Sequence, residues 1–130
     1  MSQQDTHELL KINQRLLDAI DRGDWPTYEE LCDPSLTAFE PEARGQQVEG
    51  LEFHRFYFQL GGKGAPGQTT VCAPKVRLMG DVGVISYVRL NQRVSGDGSP
   101  VTYSFEETRV WQRQDGQWRH VHFHRSVPAS

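Results

Sequence analysis

Several features that mark particular classes of protein are scarce or absent in this sequence of 130 residues. Its two cysteines, Cys32 and Cys72, lie far apart and outside any CxxC motif, so we predict reduced thiols rather than a disulfide framework. The first residues, MSQQDTHELL, lack the basic flank and apolar run of a signal peptide. No apolar run approaches the roughly 18 residues of a membrane span. We therefore expect a cytoplasmic protein.

Charge of one sign is not concentrated in any segment. The net charge is −3, and Lys and Arg are interspersed with Asp and Glu without forming a basic tail or arm. This pattern argues against a protein whose partner is nucleic acid or an anionic membrane. The length suits one hydrophobic core and no linker divides the chain, so we predict a single domain over residues 1–130.

The first half of the chain predicts three helices and one strand. In DTHELLKINQRLLDAIDRGDW the apolar residues recur at helical spacing, with Asp5 or Thr6 as the cap at the start and Gly23 at the end. DWPTYEELC predicts a shorter helix that begins after Asp24, and EGLEFHRFYFQL predicts a third. Between these two helices, SLTAFEPE predicts a strand.

The second half has the periodicity of strands. After GGKGAPGQ, which indicates a flexible loop, four strands are predicted in TTVCAPKVRLM, GVISYVRLNQRV, VTYSFEETRVWQR and QWRHVHFHRS. The turn sequences GD, SGDGSP and QDGQ separate them, which is typical of antiparallel hairpins. The predicted fold class is therefore α+β, a curved antiparallel sheet with about three helices packed on one face.

Three arginines fall on one face of this sheet, because side chains alternate along a strand. Arg89, Arg109 and Arg125 share parity with large apolar residues of their own strands: Ile85 and Tyr87, then Trp111, then Val121 and Phe123. Because these neighbours are large and apolar, we expect this face to be the concave face that the helices cover. A buried guanidinium group needs a partner, because removing an unpaired charge from water costs several kcal/mol.

Two interpretations of the buried arginines stay open. Glu107 has the same parity as Arg109 and could neutralise one of the three. The remaining positive charge would then bind a carboxylate or phosphate through the planar guanidinium fork. Alternatively, each arginine turns outward or pairs with an acid such as Glu40 or Glu42, and no ligand is needed.

The stretch HVHFHRS sets three histidines at every second position. Parity places His120, His122 and His124 on the face opposite to Arg125, which we expect to be the outer face of the sheet. A metal site on a strand takes a His-x-His pair and a third ligand in a sheltered pocket. We therefore predict no metal and no cofactor, and assign the histidines to the surface or to a subunit contact.

Longer motifs resemble a known family. FEPEARGQQVEGLEFHRFYF, RLMGD, EETRVWQRQDGQW and VHFHRS are similar to the association (hub) domain of calcium/calmodulin-dependent protein kinase II. GDWPTYEELCDPSLTAF resembles its second helix and first strand, so that the resemblance covers residues 8–126. It implies a cone-shaped fold of the nuclear-transport-factor-like superfamily, which also contains ketosteroid isomerases, dehydratases and polyketide cyclases.

The resemblance also implies an assembly and a ligand site. In that family the domain assembles subunits: sheets pair back to back into dimers, and dimers join into rings. A deep pocket accepts small carboxylates; its arginines match Arg89, Arg109 and Arg125, and its tyrosine and histidine match Tyr28 and His54. These are the three arginines that parity places on the concave face.

The chain departs from the family in two respects. We find neither a kinase domain nor a calmodulin-binding segment, and we therefore expect a stand-alone protein of bacterial type. The segment QLGGKGAPGQ also lacks the tryptophan that the family's hub domain carries near the pocket mouth, so ligand preference, gating and ring contacts are expected to differ from the family's.

Three functions are compatible with these features. The main hypothesis is a homo-oligomerising domain, a dimer through the outer sheet face or a ring of dimers, whose pocket binds a small anion. The alternative is an isomerase, dehydratase or cyclase in which His54 and Glu107 are the general acid and base. Because arginines should keep Glu107 ionised and weakly basic, we expect a binding protein rather than an enzyme. The third is assembly alone, with a purely structural pocket.

Overall fold

The computed structural model describes residues 2–60 and 67–128. Its elements are α1 (Ser2–Arg22), α2 (Trp25–Leu31), β1 (Cys32–Phe39), a 3-10 turn (Pro41–Ala43), β2 (Val48–Glu49), α3 (Glu52–Leu60), β3 (Gln68–Met79), β4 (Val82–Val94), β5 (Pro100–Gln114) and β6 (Gln117–Ser126). The strands form one sheet in the order β2-β1-β6-β5-β4-β3. Within these residues, the predicted α-helices and the α+β class are confirmed.

The sheet is mixed, which corrects the prediction of an entirely antiparallel one. Strands β3 to β6 form the predicted antiparallel meander. Strand β1, however, pairs in parallel with β6 and antiparallel with β2. Periodicity in a sequence indicates that a segment is a strand, but it does not indicate which strand lies beside it.

Helix α1 packs against the inner face of the sheet through a leucine stripe. Leu9, Leu16 and Leu17 are fully buried. Gly83 in β4 allows the close approach of the helix, because a Cβ atom at this position would lie 2.3 Å from Cδ2 of Leu9. The apolar stripe that predicted the helix is therefore the surface that attaches it to the sheet.

The ends of α1 and the start of α2 are set by local backbone conformation and hydrogen bonding. Helix α1 begins at Ser2, earlier than the predicted cap at Asp5 or Thr6. It ends at Arg22, and Gly23 follows with a φ of 69°, in the left-handed region that favours glycine. As predicted, Asp24 caps α2, since its carboxylate accepts a hydrogen bond from the amide of Thr27 at 3.2 Å.

A bulge in β6 corrects the predicted position of one histidine. Trp111 of β5 pairs with His120, whereas Val110 pairs with His122, so that Val121 is an extra residue on β6. His120 is therefore fully buried on the inner face, not on the outer face that parity predicted. Beyond the bulge the alternation is regular, and His122 and His124 lie on the outer face as predicted.

Two further predictions concern the loop after α3 and the absence of a membrane span. The predicted loop GGKGAPGQ falls for the most part on residues 61–66, which lie outside the described residues. Within the described ranges, no helix is both long enough and apolar enough to cross a membrane.

Candidate ligand-binding site

A cavity of about 370 Å³ lies between the inner face of the sheet and the helices. All five residues that were predicted to bind a ligand line it: Tyr28, His54, Arg89, Arg109 and Arg125. They reach the cavity from α2, α3, β4, β5 and β6 respectively. Much of the remaining wall is aromatic, formed by Tyr57, Phe58, Tyr103, Phe105 and Phe123. The cavity therefore combines apolar walls with a few guanidinium groups, as small-molecule sites commonly do.

Two of the arginines share one carboxylate at the inner end of the site. Glu107 accepts hydrogen bonds from Nη1 of Arg89 at 3.1 Å and from Nε of Arg109 at 3.0 Å. Burial alone would raise the pKa of Glu107, but Arg109 and Arg89 outweigh burial and lower the pKa to about 2. Glu107 is thus an ionised counter-ion for two arginines. A carboxylate with this pKa is a weak base at neutral pH, which disfavours the catalytic role.

Asp21, near the end of α1, is a residue of the site that the sequence interpretation missed. Its carboxylate accepts hydrogen bonds from Nη2 of Arg89 at 3.2 Å and from the hydroxyl of Thr69 at 2.6 Å. All three guanidinium nitrogens of Arg89 then have partners, because Nε also donates to Thr69 at 3.3 Å. Asp21 lies four residues after the buried Leu17, and this helical spacing is the signal that could have revealed it.

Arg109 is enclosed by aromatic and polar groups. Its guanidinium group lies 4.3 Å from the ring centroid of Phe123, and Nη1 is 3.4 Å from Nε2 of His120. Burial, together with the positive charge of Arg109, lowers the pKa of His120 well below its ordinary value. His120 is therefore a neutral acceptor for Arg109, a role that its expected outer position would have excluded.

Arg125 lies at the mouth of the cavity and is paired with acids from the segment after β1. Its Nη2 donates to Glu40 at 3.4 Å and also to Glu42. The second carboxylate oxygen of Glu40 contacts Nε2 of His54. Nδ1 of His54 is buried and has no hydrogen-bond partner among the described residues. The contacts of Arg125 therefore match the second sequence interpretation, in which a buried arginine pairs with an acid such as Glu40 or Glu42.

The charges around the cavity are balanced, contrary to the expected surplus of positive charge. Four arginines form ion pairs with four carboxylates: Arg89, Arg93, Arg109 and Arg125 with Asp21, Glu40, Glu42 and Glu107. Free donor capacity nevertheless remains at the mouth. Within the described residues, Nε and Nη1 of Arg125 donate no hydrogen bond, because both of its ion pairs use Nη2.

The outer face of the sheet carries a continuous surface that we call the outer patch. It comprises Thr37, Phe39, Val84, Ser86, Val88, Thr108, Val110, His122 and His124, which are neighbours across β1, β4, β5 and β6. Phe39 and Val88 are both 37% exposed, and none of the nine residues is fully buried. Charged side chains border the patch: Glu106 of β5 pairs with Val88, and Lys75 and Arg77 of β3 pair with Ser86 and Val84. Within the described residues, no three His, Cys, Asp or Glu side chains are grouped to hold a metal ion.

Comparison with known proteins identifies the family. Residues 5–129 match the family model of the calcium/calmodulin dependent protein kinase II association domain. The chain belongs to this family. The resemblance inferred from FEPEARG and the neighbouring motifs is thereby confirmed.

Relatives of this association domain are found among kinases and solved structures. The type II kinase subunit delta of Oryctolagus cuniculus is 51% identical over 122 residues, which cover 92% of this chain and 23% of that protein. The chain thus spans less than a quarter of this curated relative. The association domain of C. elegans CaMKII has a TM-score of 0.91 at 42% identity, covering 96% of this chain and 97% of that one.

A more distant structure confirms the predicted superfamily fold. A nuclear transport factor 2-like protein from Salmonella enterica has a TM-score of 0.80 at 24% identity and covers 100% of this chain and 95% of its own. At this identity the likeness shows the fold alone. The association domain therefore has the nuclear-transport-factor-like architecture that its motifs implied.

Proposed function

We propose that this association domain self-associates through the outer patch and binds a small carboxylate at the mouth of its cavity. The observation that carries the first part is a patch of nine neighbouring apolar, polar and histidine side chains, with charged residues at its border, on a sheet face that no helix covers. Depletion of charge in the centre and the presence of an aromatic side chain are typical of protein interfaces. Membership of an association-domain family supports the same conclusion.

A second copy of the chain is the partner that suits this surface. Two sheets can pack face to face when their mean strand directions stay nearly aligned, and a two-fold axis then brings the same patch of both copies together. Val88 and Phe39 would become buried, and His124 would meet a polar or aromatic group of the second copy. A homodimer is the minimal assembly, and further association of dimers into a ring would need a second surface.

Sedimentation velocity tests the self-association. The wild-type chain is expected to sediment as a dimer or a multiple of dimers, and Val88→Asp is expected to shift it towards the monomer because a charge would be buried in the contact. Met79→Asp is the matched control, since Met79 is an exposed apolar residue at the end of β3 and outside the patch. A monomeric wild type at high concentration, or equal effects of both substitutions, would contradict the proposal.

The carboxylate site is supported by the unequal environments of the three arginines. Arg89 and Arg109 are held by buried partners, whereas Nε and Nη1 of Arg125 have no partner in the part of the chain that the structure describes. The guanidinium group of Arg125 lies 4.8 Å from the ring centroid of Phe105 in the aromatic wall. Both bidentate edges of a guanidinium group include Nη2, so a carboxylate that binds Arg125 bidentately would use Nη2 together with Nε or Nη1 and would take the place of an acid now on Nη2. An apolar or aromatic body attached to it would contact Phe105 and Phe123.

Calorimetric titration with benzoate tests this part of the proposal. Arg125→Gln is expected to weaken the binding of benzoate by at least about tenfold, because a charge-assisted bidentate contact is lost. Arg113→Gln is the matched control, since Arg113 is an ion-paired arginine of β5 that does not line the cavity. Arg109 is not suitable for this test, because its removal would leave Glu107 buried without one of its partners. Equal affinity of Arg125→Gln and wild type would refute the assignment.

A further inference from the structure

We propose that Glu42 is a built-in competitor for the carboxylate site, which occupies the mouth arginine until the carboxylate of a ligand displaces it. This inference rests on the proposed binding of a carboxylate at Arg125. Its starting point is the direct hydrogen bond that Nη2 of Arg125 donates to Glu42. The group that a ligand would offer to Arg125 is thus already supplied by the chain itself.

Glu42, rather than Glu40, is the acid that can leave. The side chain of Glu40 is only 7% exposed and is held on one oxygen by His54 and on the other by Arg125. The side chain of Glu42 is 39% exposed, and among the described residues its carboxylate makes an ion pair with Arg125 alone. Water can therefore solvate the carboxylate of Glu42 once it leaves, whereas displaced Glu40 would stay buried and charged.

The backbone that carries Glu42 is fixed by its own hydrogen bonds. In the turn Pro41–Ala43, the amide of Ala43 donates to the carbonyl of Glu40 at 3.0 Å, and the amide of Arg44 donates to that of Pro41 at 3.1 Å. Displacement of Glu42 therefore needs rotation of one side chain and no rearrangement of the segment. Such rotations of partly exposed side chains are fast compared with ligand binding.

This arrangement restricts the ligands that can bind. A neutral ligand is a poor replacement for Glu42 on Arg125, because the guanidinium group would exchange a charged hydrogen-bond partner for a neutral one and keep only its 3.4 Å contact with Glu40. A ligand with two carboxylates brings a second negative charge close to Glu40 and the displaced Glu42, which repel it. The structure therefore favours ligands that carry one carboxylate on an apolar body, and Glu42 contributes to this selection.

Titration of Glu42→Gln with benzoate and with terephthalate tests the inference. The variant removes the competing charge and is expected to bind benzoate about three- to tenfold more tightly than wild type, with a larger gain for the dianion terephthalate. Glu49→Gln is the matched control, because Glu49 is exposed on the adjacent strand β2 and does not line the cavity. It is expected to leave both affinities unchanged.

Each outcome of the titration has a distinct meaning. If Glu42→Gln binds benzoate as wild type does, or more weakly, Glu42 is not a competitor, while the proposed carboxylate site still stands. If neither protein binds benzoate or terephthalate, the proposed site itself fails, and the inference fails with it. Thermal melts of both variants verify that they are folded, and Glu42→Ser, which also removes the charge, should reproduce the gain.

Discussion

Nε of Arg109 lies 3.0 Å from a carboxylate oxygen of Glu107, and neither residue is more than 2% exposed. The hydroxyl of Tyr87 donates to the same oxygen at 2.7 Å and accepts a hydrogen bond from Asn13 of α1 at 3.1 Å. Arg109 is thus part of a buried polar network that connects the sheet to a helix. Its first role is structural, whereas Arg125 at the cavity mouth keeps two guanidinium nitrogens that make no hydrogen bond to the described residues.

Replacement of Glu107 is expected to be severely destabilising. Glu107→Gln leaves Arg89 and Arg109 without their shared counter-ion, and removal of one partner from a buried ion pair typically costs roughly 3–5 kcal/mol of unfolding free energy. Urea denaturation at pH 7 measures this loss. Glu29→Gln, at an exposed position of α2, is the control and is expected to change the unfolding free energy by less than about 0.5 kcal/mol. A loss for Glu107→Gln as small as that of the control would contradict the buried pairing.

The same carboxylate predicts an acid-dependent loss of stability. The pKa of Glu107 is about 2 in the folded protein, below the ordinary value of 4.5. A lowered pKa means that the contribution of Glu107 is fully present above pH 4.5 and is lost as the pH falls towards 2. Unfolding free energy measured across this interval should fall more steeply for wild type than for Glu107→Gln. Parallel curves would show that Glu107 does not titrate in this way.

Because α1 packs closely against β4 at Gly83, we expect the addition of one methyl group there to destabilise the protein. Gly83→Ala is expected to lower the unfolding free energy by roughly 1–3 kcal/mol, because its Cβ atom would overlap Leu9. Gly96→Ala is the control, since a Cβ atom there meets nothing within 4 Å. Thermal or urea denaturation compares the two. Similar stability of both variants would mean that the helix does not approach the sheet as closely as described.

The histidines of the outer patch predict that self-association depends on pH. Burial, with a further contribution from His124, lowers the pKa of His122 below its ordinary value of 6.5. This shift belongs to the single chain; burial of His122 against a second copy would disfavour its charged form further, so association should be strongest above pH 6.5 and weaken as the pH falls below it. Sedimentation at pH 7.5 and pH 5.5 measures the change. His122→Asn should reduce the dependence, while His7→Asn, at an exposed position of α1, should retain it.

Parity along the strands predicted the inner face well, but only where the register is regular. Arg89, Arg109 and Arg125 all line the cavity, because each keeps the regular alternation with its nearest inner-face neighbour, which is Tyr87, Trp111 and Phe123 respectively. His120 was assigned to the wrong face because Val121 forms a bulge. A bulge arises from the pairing of two strands, and nothing in the alternating pattern of HVHFHRS indicates it.

The acids that pair with the arginines of the cavity were harder to predict than the arginines themselves. Asp21 comes from α1, and Glu40 and Glu42 come from the segment after β1, so their contacts with strands β4 and β6 join parts of the chain far apart in sequence. Local patterns carry no information on such distant contacts. The expected bacterial origin and cytoplasmic location stay predictions, as does the effect of the missing tryptophan, which concerns a segment that lies for the most part outside the described residues.

The most direct test of the account is a crystal structure of the wild-type protein with benzoate. We expect the benzoate carboxylate to lie within hydrogen-bond distance of Arg125, the ring to contact Phe105 or Phe123, and Glu42 to have turned towards solvent. Glu107 should remain paired with Arg89 and Arg109. An empty cavity with Glu42 still on Arg125 at saturating benzoate would contradict the account.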